Sequence, residues 1–150
     1  MGAVSRCHLF FKERVLNQVA DGSQHGAMIL VVADDQELRD GIEALLGSDG
    51  YRISPTGNEH DAFDSAVRTR PDLILVSFDK PYPDVSATTH GVRESAGLSK
   101  DVPIVIFGCS SVPEGVELAI GANTYVTQPK DFNQLRHLLA RLLRCSKAVF

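Results

Sequence analysis

Cysteine is scarce and badly placed for cross-linking. The three present, Cys7, Cys109 and Cys145, are odd in number and far apart, with no CxxC pair. That argues against a disulfide framework and against a thiolate zinc site, and it fits a reducing compartment. The five histidines, at positions 8, 25, 60, 90 and 137, show no HExxH or paired spacing, so the chain spells out no histidine metal centre. No apolar run reaches membrane-spanning length. Leu9-Phe10-Phe11 is too short for a secretory signal, and Arg6 stands where a myristoylation signal wants Ser or Thr. A surplus of positive charge is missing as well: 15 Lys and Arg stand against 19 Asp and Glu, a net charge of −4. Nucleic acid and membrane are therefore not the expected partners, and the expected location is the cytoplasm.

What is present is ordinary globular composition, 43% hydrophobic and 23% charged over 150 residues, enough for one domain with a real core. Met28 to Ala33 (MILVVA) is continuously apolar, as expected of a strand buried on both faces. Asp34-Asp35 then opens a helix from about Gln36 to Leu46, with Leu38, Ile42, Leu45 and Leu46 on one face. Tyr51 to Pro55 reads as a weaker strand, followed by a helix facing inward through Ala62, Phe63, Ala66 and Val67. Leu73 to Ser77 is a third strand, and the stretch Phe78 to Asp84 with its two prolines is expected to be loop.

A third helix is expected over Ser86 to Leu98, weakened by Thr88, Thr89, Gly91 and Gly97. Val102 to Phe107 is a fourth strand, and a short helix around Glu114 to Ile120 is expected before the stop Gly121-Ala122-Asn123. Thr124-Tyr125-Val126 is a fifth strand. The last helix begins near Asp131, with Phe132, Leu135, Leu138, Leu139, Leu142 and Leu143 at helical period. Residues 1–27 are expected to be an extension with a short helix, 28–146 the domain and 147–150 a tail. Five βα units imply an α/β fold with a parallel sheet and helices on both faces, too few for a closed barrel. In such a doubly wound sheet, function sits beyond the C-terminal strand ends.

Four segments at these intervals resemble the response-regulator receiver family: ILVVADDQELR (29–39), RPDLILVSFDKPYPD (70–84), DVPIVIFGCS (101–110) and GANTYVTQPKDFNQL (121–135). The resemblance covers about residues 28 to 144. It implies a flavodoxin-like (βα)5 sheet of strand order 2-1-3-4-5. It also implies a phosphoacceptor carboxylate at the third strand's end, an acid pair that holds Mg²⁺, a hydroxyl residue and a lysine. Carried over residue by residue, Asp34 matches the second acid, but Ala33 stands in place of the first. Ser77 occupies the phosphoacceptor position, Gly108 the hydroxyl position and Gln128 the lysine position, while Tyr125 matches the family's switch aromatic.

These replacements remove chemistry. Serine forms no acyl phosphate, Gln128 carries no charge, and Gly108 has no side-chain donor. The expectation is a degenerate receiver without enzymatic activity or cofactor, acting through a signalling protein or a second copy of itself. A partner face is expected at Thr124, Tyr125, Arg136 and Arg141. Because no DNA-binding or catalytic segment follows the receiver-like stretch, output is expected through that partner.

Two other readings stay open. Asp79, two residues beyond Ser77, could serve as a displaced phosphoacceptor, with Asp34 and Asp35 as weak Mg²⁺ ligands if the first strand is bulged. A flavodoxin-like ligand-binding protein or enzyme would need a Gly-rich loop after the first strand, and ADDQELR has none. Gly108-Cys109-Ser110-Ser111 is expected to be a turn and cap rather than an anion cradle, with Cys109 filling an apolar gap. The resemblance further implies a cis peptide at Gln128-Pro129.

Overall fold

The computed structural model describes residues 26–78, 80–108, 112–121 and 123–147, apart from the side chains of 82 and 145–147. The expected leader helix, Asp79, Cys109 and the Ser110-Ser111 cap lie outside the described residues.

The chain runs β1 (Met28–Ala33), α1 (Gln36–Ser48), β2 (Arg52–Thr56), α2 (Glu59–Thr69), β3 (Leu73–Ser77), α3 (Tyr82–Ser95), β4 (Ile104–Phe107), β5 (Glu117–Gly121), β6 (Thr124–Thr127) and α4 (Phe132–Lys147). One sheet holds them in the order β2-β1-β3-β4-β6-β5. All pairs are parallel except β5 with β6. The central strands β3 and β4 are buried throughout, which is why their sequences are unbroken apolar runs rather than alternating ones.

Alternation of side chains splits the core into two layers. Ile29, Val31, Leu73, Leu75 and Val105 pack under Ile42 and Leu46 of α1 and Leu135, Leu138 and Leu139 of α4. Leu30, Val32, Ile74, Val76, Ile106 and Val126 meet Ala62 and Ala66 of α2 and Val85 and Val92 of α3. Each fully buried leucine of α4 contributes about 1.5–3 kcal/mol relative to exposure. Tertiary burial, more than helix propensity, therefore holds that element. Arg136 of α4 clamps the far end of α1 through two bonds to Asp49, at 2.8 and 3.1 Å.

Three expectations are corrected. The helix expected over Glu114 to Ile120 is instead strand β5, antiparallel to β6. Pro113 and Gly115 (φ +87°) make a corner, and Glu117 to Ala119 then pair with Thr127 to Tyr125 before a register shift ahead of Gly121. Gly121 (φ +101°) and Asn123 (φ +57°) supply the left-handed residues of a hairpin turn, not a helix stop. The parallel order therefore gains an antiparallel edge strand instead of a fourth crossover helix. The third helix starts at Tyr82, with Pro81 as its N-cap and a proline in its first turn, where the missing N–H has no intrahelical partner to lose. Gln128-Pro129 is trans, since no cis peptide occurs among the described residues.

Candidate functional site

The strand tips converge as a doubly wound sheet requires. Ala33 and Ser77 are direct neighbours in the β1–β3 ladder. Phe107 and Thr127 are partners across β4 and β6, so Gly108 and Gln128 leave the sheet side by side. The fold thus brings together Ala33, Ser77, Gly108 and Gln128 at one edge, with Asp34 exposed beside them.

Ser77 is buried, and its Oγ lies 2.9 Å from where a Cβ on Gly108 would stand. Gly108 also holds φ +82°, a conformation a side chain adopts only with strain. Two independent constraints therefore keep that position a glycine. Asp35 is not free to join Asp34: its carboxylate caps α1, accepting from the Glu37 and Leu38 amides at 3.0 and 3.4 Å. Arg39, one turn on, donates to the Ala33 carbonyl at 2.6 Å and fills the space over Gly57. It fixes the tip of β1, a role the sequence did not disclose.

Gln128 is enclosed by the corner before β5. Its amide donates to the Val116 carbonyl at 3.3 Å, and its carbonyl accepts from the Gly115 amide at 2.6 Å. Its Oε1 is buried with no hydrogen-bond partner among the described residues, a cost of about 1–3 kcal/mol. The same corner is tied to α4 by Gln134, whose Nε2 donates to the Gly115 carbonyl at 2.9 Å. The stem of Lys130 lies against Gly115, with Cε 3.1 Å from a Cβ there.

The expected partner-face residues separate. Thr124 is buried, its Oγ1 2.7 Å from Nε2 of His90 on α3. Tyr125 is half-buried against the α1/α4 layer and donates to Asn123 Oδ1 at 3.2 Å. Arg136 is spent on Asp49, while Arg141 reaches Glu117 of β5 at 2.7 Å. Burial and then the nearby Arg93 cation hold the His90 imidazole below its ordinary pKa of 6.5. Burial and then the Asp49 carboxylate push the Tyr51 phenol up to about 12. His90 had no signal in the sequence, because its partner lies on another element.

No helix among the described residues is long and apolar enough to cross a membrane. The architecture defines a class: an open, doubly wound α/β domain with its functional edge at the C-terminal strand tips. No protein-family model matches the chain. The transcriptional regulatory protein PrrA of Mycobacterium leprae is 30% identical over 118 residues, which cover 77% of this chain and 49% of PrrA. The chain thus spans about half the length of that relative. Among solved structures, the receiver domain of the Pseudomonas aeruginosa sensor histidine kinase PA1611, with magnesium in its active-site cleft, is 28% identical with a TM-score of 0.60. That match covers 79% of this chain and 98% of the receiver domain. The chemotaxis response regulator CheY4 of Vibrio cholerae shares the fold at TM-score 0.59, with 21% identity over 78% of this chain and 98% of its own. The protein carries a response-regulator receiver domain of the CheY-like, two-component type.

Proposed function

We propose that this receiver domain is degenerate and works without phosphorylation, as a protein-interaction module rather than an enzyme. The observation that carries the reading is the contact between Ser77 and Gly108. A serine hydroxyl sits at the phosphoacceptor position, and it lies 2.9 Å from where the Cβ of a side chain on Gly108 would stand, too near for the family's hydroxyl residue to fit beside it as placed. Restoring that side chain would require the Ser77 hydroxyl to turn away and a side chain to adopt the φ of +82° that Gly108 holds.

Magnesium does not fit the donors present. Among the described residues the strand tips offer one exposed carboxylate, Asp34, and one buried hydroxyl, Ser77, while Asp35 serves the helix. Mg²⁺ sheds water reluctantly and wants carboxylates in a near-octahedral set. Among the described residues no three His, Cys, Asp or Glu side chains gather to hold a metal. Gln128, uncharged and enclosed by the Gly115 corner, supplies no cation for a phosphoryl group. Signalling then falls to surface complementarity with a signalling protein or a second copy of the chain.

The test is incubation with acetyl phosphate and Mg²⁺ followed by intact-mass and peptide analysis. The expected chain is unmodified. A phosphoryl group mapped to Asp79 would overturn the reading and establish a displaced acceptor.

A further inference from the structure

The two edges of the sheet differ in how they are protected. Strand edges expose unpaired amides and carbonyls, and soluble proteins guard them with proline, lysine or inward charge. At one edge, β2 carries Arg52 and Pro55, and proline cannot donate to an added strand. At the other, β5 reads Glu-Leu-Ala-Ile-Gly, with neither proline nor a basic residue, and its register shift between Ala119 and Gly121 leaves Glu117 to Ala119 as a regular stretch. Its one charge is already paired with Arg141 of the chain's own α4.

The side chains of this edge sort by face. Glu117 turns toward α4, so alternation sends Leu118 to the opposite face, where it stands across from Val126. Val116 shares that face by alternation, and Ile120, at the register shift beyond Ala119, packs against the same core layer as Val126. Among the described residues only three large apolar side chains are exposed, and two of them, Val116 at 38% and Leu118 at 42%, lie here. The ladder fixes the backbone as well. The Gln128 amide bonds to the Val116 carbonyl, so Val116 and Leu118 spend their polar groups on β6. Those of Glu117 and Ala119 point to the outer edge, which no strand among the described residues covers.

We propose that two copies of this chain pair antiparallel through β5, about a two-fold axis at Leu118, so that one sheet runs through both. In that register Glu117 exchanges backbone bonds with Ala119 of the partner subunit. Leu118 meets Leu118 of the partner subunit at the centre of the regular stretch Glu117 to Ala119, which ends at the register shift before Gly121. Apolar faces apolar, and no carboxylate faces a carboxylate. This self-complementarity is what a second copy supplies and an unrelated strand does not, and the isologous two-fold leaves neither β5 edge free. The inference rests on the reading of the domain as an interaction module, and it names the partner. Phosphodonor chemistry and self-association are measured separately, so either can fail alone.

The experiment is sedimentation velocity of the full chain from about 1 to about 500 µM, joined to amide exchange at both ends of that range. A concentration-dependent dimer is expected, with Glu117 and Ala119 amides protected only when concentrated. Leu118→Lys and Ala119→Pro should each abolish it while circular dichroism keeps the native spectrum. The second variant removes an outward amide and spares the bonds to β6. Val67→Lys, at the third exposed apolar residue, should leave the dimer intact. If either β5 variant fails to fold, the wild-type exchange result decides. A monomer throughout, or a dimer that survives both variants, overturns the proposal. Protection at Glu117 and Ala119 that does not vary with concentration also overturns it, since a segment of the same chain would then cover the edge.

Discussion

The hydroxyl of Ser77 occupies the space a side chain on Gly108 would need, 2.9 Å from the point where its Cβ would sit. The resemblance to the receiver family assigns both residues to positions where reactive groups are expected, and here they are packed against each other.

Substitution of Gly108 should therefore meet two penalties. The φ of +82° costs an L-residue about 1–2 kcal/mol, and the contact with Ser77 adds more. We expect Gly108→Ala to lower stability by about 2 kcal/mol, read from urea midpoints, with Gly108→Thr worse because it is β-branched. Removing the hydroxyl relieves only the contact. Gly108→Ala should thus cost less in a Ser77→Ala background, by on the order of 1 kcal/mol. Equal costs in the two backgrounds would show that the contact carries no energy.

The two arginines of α4 that sequence reasoning grouped on one surface should behave differently. Arg136 is held by both oxygens of Asp49, whose side chain is 6% exposed. Its loss leaves a buried carboxylate, and Arg136→Ala should cost about 3 kcal/mol. The Arg141–Glu117 pair is more open, at 54% and 27% exposed. Arg141→Ala should stay within about 0.5 kcal/mol. Denaturant titration of both variants checks the contrast, and comparable losses would contradict it.

Much of the frame was legible in the sequence, because buried parallel strands announce themselves as unbroken apolar runs and α4 by its leucine period. The converging positions Ala33, Ser77, Gly108 and Gln128 followed from strand ends together with the family resemblance. The stretch from Glu114 to Ile120 was not legible. A short segment of mixed residues fits either period, and the decision for strand came from Gly115, Gly121 and Asn123 adopting left-handed backbone and from an edge left open by β6. Likewise Asp35 could be read as an acid or a cap, and only the amides of Glu37 and Leu38 decided it. Contacts such as Arg39 to Ala33 depend on loop geometry that no pattern encodes.

Tyr51 gives a titration handle on the α1/α4 junction. Its phenol is pushed up to about 12 from an ordinary value of 10.0, so the fold prefers the neutral form. The resulting stability is complete below pH 10 and is lost as pH rises through 12. Ultraviolet titration should show one late tyrosinate step, absent in Tyr51→Phe and shifted to lower pH in Asp49→Asn. A late step that persists in Tyr51→Phe would assign it elsewhere.

His90 should make the fold sensitive to acid in the opposite sense. Its Nε2 sits 2.7 Å from the Thr124 hydroxyl at the start of β6. Burial and the Arg93 guanidinium disfavour a second positive charge, while Glu94 partly offsets them. The folded pKa lies below the ordinary 6.5, so the neutral ring is the form the fold prefers. Its contribution is intact above 6.5 and declines as pH falls below that value toward the folded pKa. A glutamine at this position can hydrogen-bond to Thr124 without gaining a proton. Thermal melts between about pH 8 and about pH 5 should therefore show the wild type losing ground to His90→Gln as the solution is acidified. The bond lies one residue before Tyr125, so near-ultraviolet dichroism should report the same transition. If the two melting curves run parallel across that range, protonation of His90 does not act on the fold and the acid sensitivity lies elsewhere.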